Sequence, residues 1–182
     1  MVLSFLLIFK HAAPEENPIR MNVITPVTCV AVHPHESTIA TGHFDGVINL
    51  WFLNFDLSVS CKTQMHWHAH AVGALTFTSE GTYILSGGEE AVLVVWQTAT
   101  NNKRFLPRLS SPIIGLSLDN KDSLYCVMGS DNSIRVIDSA SFSVTQTIQG
   151  LKVGHFGQAS NCSVMSLDPI SKLVFIFIYI YI

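Results

Sequence analysis

Apolar residues along this chain come in short runs of about four to eight, each closed by a cluster of Gly, Asp, Asn, Ser or Pro. The i, i+3, i+4 spacing of an amphipathic helix is absent, so the pattern predicts strands joined by tight turns. Residues 85–96, LSGGEEAVLVVW, show the unit: an apolar run, two glycines, two acids, a β-branched run and a tryptophan. Gly87-Gly88 is expected to supply the reversal of a hairpin, because glycine accepts the backbone angles that a tight turn needs. No helix follows these glycines, so they are not a phosphate-binding loop.

The same layout stands at residues 41–51, TGHFDGVINLW. Counting back from Trp51 and Trp96, a hydroxyl residue lies ten places earlier (Thr41, Ser86), a glycine nine (Gly42, Gly87) and an acid six (Asp45, Glu90). Each unit follows an apolar strand and a polar turn, VTCVAVHPHES and VGALTFTSEGT. IIGLSLDNKDS begins a third copy, in which Asp131 keeps its place while Val127 and Ile137 replace the hydroxyl and the tryptophan; SVMSLDPISKLVF begins a fourth. The upstream strands end at Val32, Phe77, Leu118 and Leu167, about forty-five, forty-one and forty-nine residues apart. A period near forty, filled with four short strands, is that of a propeller blade. Strands are predicted near 27–32, 38–42, 47–52 and 59–65; near 72–77, 83–87, 92–97 and 103–107; and near 113–118, 124–128, 133–138 and 143–148. The chain therefore divides into an atypical segment 1–20, blades at 21–66, 67–108 and 109–150, and a partial fourth blade with an apolar tail at 151–182.

The order His68, Ser86, Glu90, Trp96 resembles the signature of the WD-repeat β-propeller family. The resemblance implies an all-β, partial WD-repeat β-propeller in which these four side chains form a hydrogen-bonded structural tetrad that stiffens the blade. A buried indole needs an acceptor for its one N–H, which the hydroxyl provides. Thr41, Asp45 and Trp51 form a partial tetrad in blade one, which shows no obvious tetrad histidine leading into the strand at residue 27. Glu90 stands in the usual aspartate place, and its extra methylene is expected to loosen the network.

MHWHAHAVGALTFTSEGTYILSGGEEAVLVVW, FLPRL at 105–109, SDNSIRVID and IQGL at 148–151 go beyond the blade pattern. Over about residues 18–152 they resemble the amino-terminal propeller of a family of nucleolar small-subunit processome subunits. That likeness implies a non-enzymatic scaffold for protein and RNA assembly in the transcription and processing of the small-subunit rRNA precursor. It places the chain in the nucleolus among other subunits of a large ribonucleoprotein assembly, with precursor rRNA within reach and with no cofactor, membrane or small-molecule substrate. A WD-repeat adaptor of a ubiquitin ligase or trafficking coat, or a propeller-supported hydrolase, are the alternatives. Neither end of the chain shares the resemblance, so a piece of a longer protein or a mispredicted gene model is expected, with strand edges and blade faces left uncovered.

The chain has 182 residues, 48% hydrophobic and 13% charged, enough for a core. Its net charge is −3, so a nucleic acid would have to be held by a local patch rather than a global basic field. Lys103, Arg104 and Arg108 around FLPRL are that patch: solvated edge residues, or contacts to RNA or an acidic partner. His43-Phe44 and Asn101-Asn102 are candidate display loops. His66, His68 and His70 alternate as metal ligands on a strand can, but no carboxylate or cysteine completes the set, so no metal is expected. Ser86, His68 and Glu90 have the residue types of a catalytic triad, yet a tetrad histidine is buried against its own blade, so no catalytic residue is expected. Cys29, Cys61, Cys126 and Cys162 are too far apart for a C-x-x-C pair and act as small hydrophobes of a reducing compartment. The N-terminal MVLSFLLIF lacks a basic flank and a clear cleavage site, so it is expected as a strand remnant or a gene-model artefact rather than a signal peptide. The β-branched and aromatic LVFIFIYIYI is about half the length of a membrane-spanning helix and is likewise expected as strand.

Overall fold

The computed structural model describes the backbone of residues 4–8, 19–54, 59–149, 162–167 and 174–178, and the side chains of 24–54 and 62–149. Every regular element among them is a β-strand. β1 (Ser4–Ile8) pairs with β2 (Ile19–Val23). Three four-stranded antiparallel sheets follow, each with its strands in chain order. The first holds β3 (Val27–Val32), β4 (Thr38–His43), β5 (Val47–Leu53) and β6 (Val59–His66). The second holds β7 (Val72–Phe77), β8 (Tyr83–Gly88), β9 (Val94–Gln97) and β10 (Lys103–Phe105). The third holds β11 (Ile113–Leu118), β12 (Leu124–Gly129), β13 (Ile134–Asp138) and β14 (Val144–Ile148). Two further strands, β15 (Cys162–Leu167) and β16 (Val174–Ile178), form an antiparallel pair.

The first strands of successive sheets pack side by side, β3 on β7, β7 on β11 and β11 on β15. That arrangement makes the sheets blades about a common axis, with β6, β10 and β14 outermost. Each inner strand carries a register shift in its first turn of pairing, at Val27/Cys29, Val72/Ala74, Ile113/Gly115 and Cys162/Val164. A bulge adds local twist, and it recurs in β15, which packs against β11 as β11 packs against β7.

Blade two is buried on both faces, which is why its strands read as continuous apolar runs rather than alternating ones. Ile84, Val94 and Trp96 point into a core shared with Ala40, Ile48 and Leu50 of blade one. Their neighbours Leu85 and Val95 point the other way, into a core shared with Ile113, Tyr125, Val127 and Ile137 of blade three. Trp96 and Ile137 therefore occupy equivalent positions, each facing the preceding blade.

The hairpin expected at Gly87-Gly88 lies elsewhere. Both glycines are in β8, and the chain reverses at Glu89–Ala91, where Ala91 has a φ of 59°. Close packing, not turning, demands glycine: a Cβ on Gly87 would stand 2.6 Å from Ile113 Cγ2, and one on Gly42 would stand 2.9 Å from Val72 Cβ. The glycine nine places before the tryptophan admits the inner strand of the next blade.

Candidate functional site

In blade two the four tetrad side chains form one hydrogen-bonded chain. Trp96 Nε1–H donates to Ser86 Oγ at 2.8 Å, Ser86 Oγ lies 2.8 Å from His68 Nε2, and His68 Nδ1 lies 3.1 Å from Glu90 Oε2. Trp96, Ser86 and His68 are wholly buried. Proton counting fixes the tautomer. The carboxylate can only accept, so Nδ1 carries the proton; Nε2 then accepts from the Ser86 hydroxyl, whose oxygen receives the indole N–H. Every donor is used once. Burial lowers the pKa of His68 below its ordinary 6.5, against the pull of the Glu90 hydrogen bond and charge, which keeps the imidazole neutral.

The extra length of Glu90 tightens the network instead of loosening it. Its second oxygen, Oε1, accepts the backbone N–H groups of Ala69 (2.7 Å) and His70 (2.8 Å), so the carboxylate pins the approach to β7 as well as the imidazole. Burial pushes this carboxyl upward, but hydrogen bonds from its own backbone N–H, His68 and the His70 backbone outweigh it and bring the pKa down to about 2. His66 ends β6 and is exposed, and the exposed His70 places Nδ1 3.3 Å from Glu90 Oε1. Three alternating histidines thus have three different surroundings. Among the described residues no group of three or more His, Cys, Asp or Glu side chains is placed to hold a metal ion.

Blade one builds the same chain from a histidine that pattern reading assigned elsewhere. Trp51 Nε1–H donates to Thr41 Oγ1 at 2.9 Å, and Thr41 Oγ1 lies 2.9 Å from Nε2 of His43, the last residue of β4. His43 Nδ1 donates to the Thr25 carbonyl at 3.1 Å, and Asn49 Nδ2 donates to Nε2 at 2.7 Å. Gln64 on β6 extends the network by donating to Asn49 Oδ1 at 3.2 Å. His43 is wholly buried, not displayed on a loop; Phe44 beside it is 65% exposed. A carbonyl replaces the carboxylate, and Asp45 instead accepts Val47 N–H at 3.2 Å within its own turn. The Thr-x-His spacing, with an asparagine two residues before the tryptophan, is the signal that could have revealed His43.

Blade three replaces the tetrad with an ion pair. Arg135 on β13, almost fully buried, donates to Asp131 Oδ2 at 2.8 Å and to Ser110 Oγ ahead of β11. Desolvation raises the Asp131 pKa, but hydrogen bonds from Arg135, Ser133 and Ser111, with the Arg135 charge, hold it well below the usual carboxylate range. Val127 and Ile137 are buried apolar residues of the core against blade two.

The three basic residues picked out from sequence are exposed and each has a protein contact. Lys103 Nζ lies 5.2 Å from the centroid of the Trp96 ring, the Arg104 guanidinium lies 4.3 Å from the Phe142 ring, and Arg108 Nε donates to the Glu90 carbonyl at 2.9 Å. Sequence reasoning missed Lys62, whose ammonium lies 4.7 Å over Trp51. Lys62 pairs with Trp51 in the β5–β6 register as Lys103 pairs with Trp96 in β9–β10, while the blade-three equivalent is Ile137 with Val144. The lysine goes where the tryptophan goes. Cys29 and Cys126 are free thiols pushed up to about 11 chiefly by burial, hence poor nucleophiles; Cys61 and Cys162 have side chains outside the described residues.

Ordered four-stranded blades packed through their inner strands, two of them with a buried tryptophan–hydroxyl–histidine chain, define a WD-repeat β-propeller. The chain belongs to the family described as the WD repeat-containing protein 75 first beta-propeller, whose model matches residues 16–132. It is 46% identical over 147 residues to WD repeat-containing protein 75 of Danio rerio, covering 80% of this chain and 17% of that protein. To the protein of the same name from Homo sapiens it is 46% identical over 125 residues, 68% of this chain and 15% of the relative. U3 small nucleolar RNA-associated protein 17 of Schizosaccharomyces pombe is 37% identical over 87 residues, 48% of this chain and 11% of that protein. The chain therefore spans about one sixth of the length of its first two relatives.

Proposed function

We propose that this chain is a non-enzymatic propeller scaffold of a large ribonucleoprotein assembly that makes and processes the small-subunit rRNA precursor in the nucleolus. The observation that carries the reading is family membership over residues 16–132, together with likeness to a relative named for association with U3 small nucleolar RNA. The absence of catalysis has a physical argument behind it. Ser86, His68 and Glu90 have the connectivity of a hydrolytic triad, but the Ser86 hydroxyl is wholly buried and receives the indole N–H, so no substrate carbonyl can approach it. Their role is structural. Arg104 and Arg108, with Lys103, are the proposed contacts to rRNA or a neighbouring subunit, supported by their exposure on and beside an outer strand.

The experiment is expression of a tagged copy in cells, with nucleolar co-localisation and co-purification of precursor rRNA as readouts. Enrichment of both is expected, and depletion should cause unprocessed precursor to accumulate. A protein that stays outside the nucleolus and recovers no precursor rRNA would overturn the proposal.

A further inference from the structure

Charge in this molecule is sorted by position in the blade. Among the described side chains, every carboxylate lies in a turn between first and second or second and third strands, or at the end of a third strand. The outer strands and the segments leaving them, residues 62–70 and 101–110, contain Lys62, Lys103, Arg104 and Arg108 and no acid at all. The other two described cations lie elsewhere: Arg135 is buried against Asp131, and Lys121 sits in the β11–β12 turn. A chain of net charge −3 thus turns a basic sidewall outward between acidic edges. On that sidewall Trp67 and Phe105 form an aromatic pair, ring centroids 4.9 Å apart and planes inclined at 44°, with Trp67 36% and Phe105 48% exposed. Lys103 and Arg104 precede Phe105 directly on β10.

We infer that the sidewall of blades one and two, centred on Trp67 and Phe105, binds single-stranded RNA. This rests on the function proposed above, which puts an RNA within reach, and it names the surface and the form of the RNA. Two exposed rings, tilted against each other, offer aromatic surface to unpaired bases, and flanking cations neutralise the phosphates, the combination that holds single strands without reading sequence. The cation–π contacts of Lys62 and Lys103 with their indoles leave ammonium N–H groups for phosphate oxygens. An acidic protein would use the cations but has no need of the ring pair. Duplex RNA keeps its bases stacked and cannot use it.

The test is fluorescence anisotropy of a short labelled oligouridylate with the full chain, wild type and variants, over a salt series. W67A/F105A should weaken binding by at least about thirtyfold, the loss of two stacked bases, whereas Phe105→Tyr alone, which keeps a π-face, should retain most of the wild-type affinity. R104Q/R108Q should lower the magnitude of the log–log salt slope by about 1.4, the loss of two single-strand phosphate contacts. Thermal melts accompany each variant. Because a ring-deleted variant may unfold, 4-thiouridine cross-linking of the wild type gives an independent readout, with adducts expected within 62–70 or 103–108. Wild-type affinity in a folded W67A/F105A, adducts confined to other segments, or displacement by polyglutamate as effective as by unlabelled oligouridylate would each overturn the inference. Its failure differs from failure of the proposed function. If R104Q/R108Q binds the oligonucleotide like wild type while the tagged protein stays nucleolar with precursor rRNA, only the sidewall falls; if the wild type binds RNA yet is never nucleolar, only the assembly role falls.

Discussion

Ser86 does more than its size implies. Its one oxygen accepts the Trp96 N–H and sends its own proton to His68 Nε2, so Ser86→Ala leaves two buried polar groups unpaired at once. A loss of about 2–4 kcal/mol is expected, measured by urea unfolding. The same histidines give the fold a pH dependence whose sign is fixed. Burial lowers the folded-state pKa of His68 and His43 below 6.5, so the unfolded chain takes up protons first and stability falls as pH drops below about 6.5. Glu90, held at about 2 against an ordinary 4.5, stabilises above pH 4.5, and that contribution is lost between about pH 4.5 and pH 2. Urea midpoints should decline in two stages on acidification; a midpoint unchanged from neutral pH to pH 4 would contradict the neutral buried imidazoles. At this scale the sequence exposed Trp51, Trp96 and their hydroxyl partners because spacing along paired strands is rigid. It did not expose His43, because an imidazole can reach a hydroxyl from more than one place in the blade.

Strands obey stricter rules than side chains. The glycine nine places before each tryptophan sits where the next blade's inner strand passes, so Gly87→Ala should cost about 1–3 kcal/mol by overpacking. Gly115→Ala should cost less, because the nearest atom to its new Cβ is Met128 Cβ at 3.3 Å. The pairing of each outer-strand lysine with a tryptophan invites a double-mutant cycle. Trp96→Leu combined with Lys103→Met should show a coupling of about 0.5–1 kcal/mol, whereas additive losses would mean that the ammonium only lies nearby. Strand positions were legible because apolar runs and turn residues mark both ends. The β8–β9 reversal was misplaced by two residues, since glycine serves tight turns and close packing equally well and only a neighbouring strand distinguishes the two.

The blades are tied together at the molecular scale by polar contacts between equivalent turns. Asp122 in blade three accepts Ser79 N–H at 2.8 Å and Ser79 Oγ–H at 2.6 Å from blade two, and His35 of blade one donates to the Ser79 carbonyl at 3.0 Å. Asp122→Asn, which keeps an acceptor and tolerates the residue's φ of 52°, should lower stability by about 1 kcal/mol through loss of the charge assistance. Aspartate and serine in polar turns are so common that nothing in the linear order marks these two as partners. The sequence by itself determined the all-β class, the blade period and the identity of the indole acceptors, because those depend on spacing within one sheet, where covalent geometry sets which residues face each other. Only the tertiary structure decided that Arg135 replaces a tetrad, that His43 is buried, and that Asp122 and Ser79 join two blades. Each of those depends on where separate blades and turns come to lie against one another, and no local period encodes that.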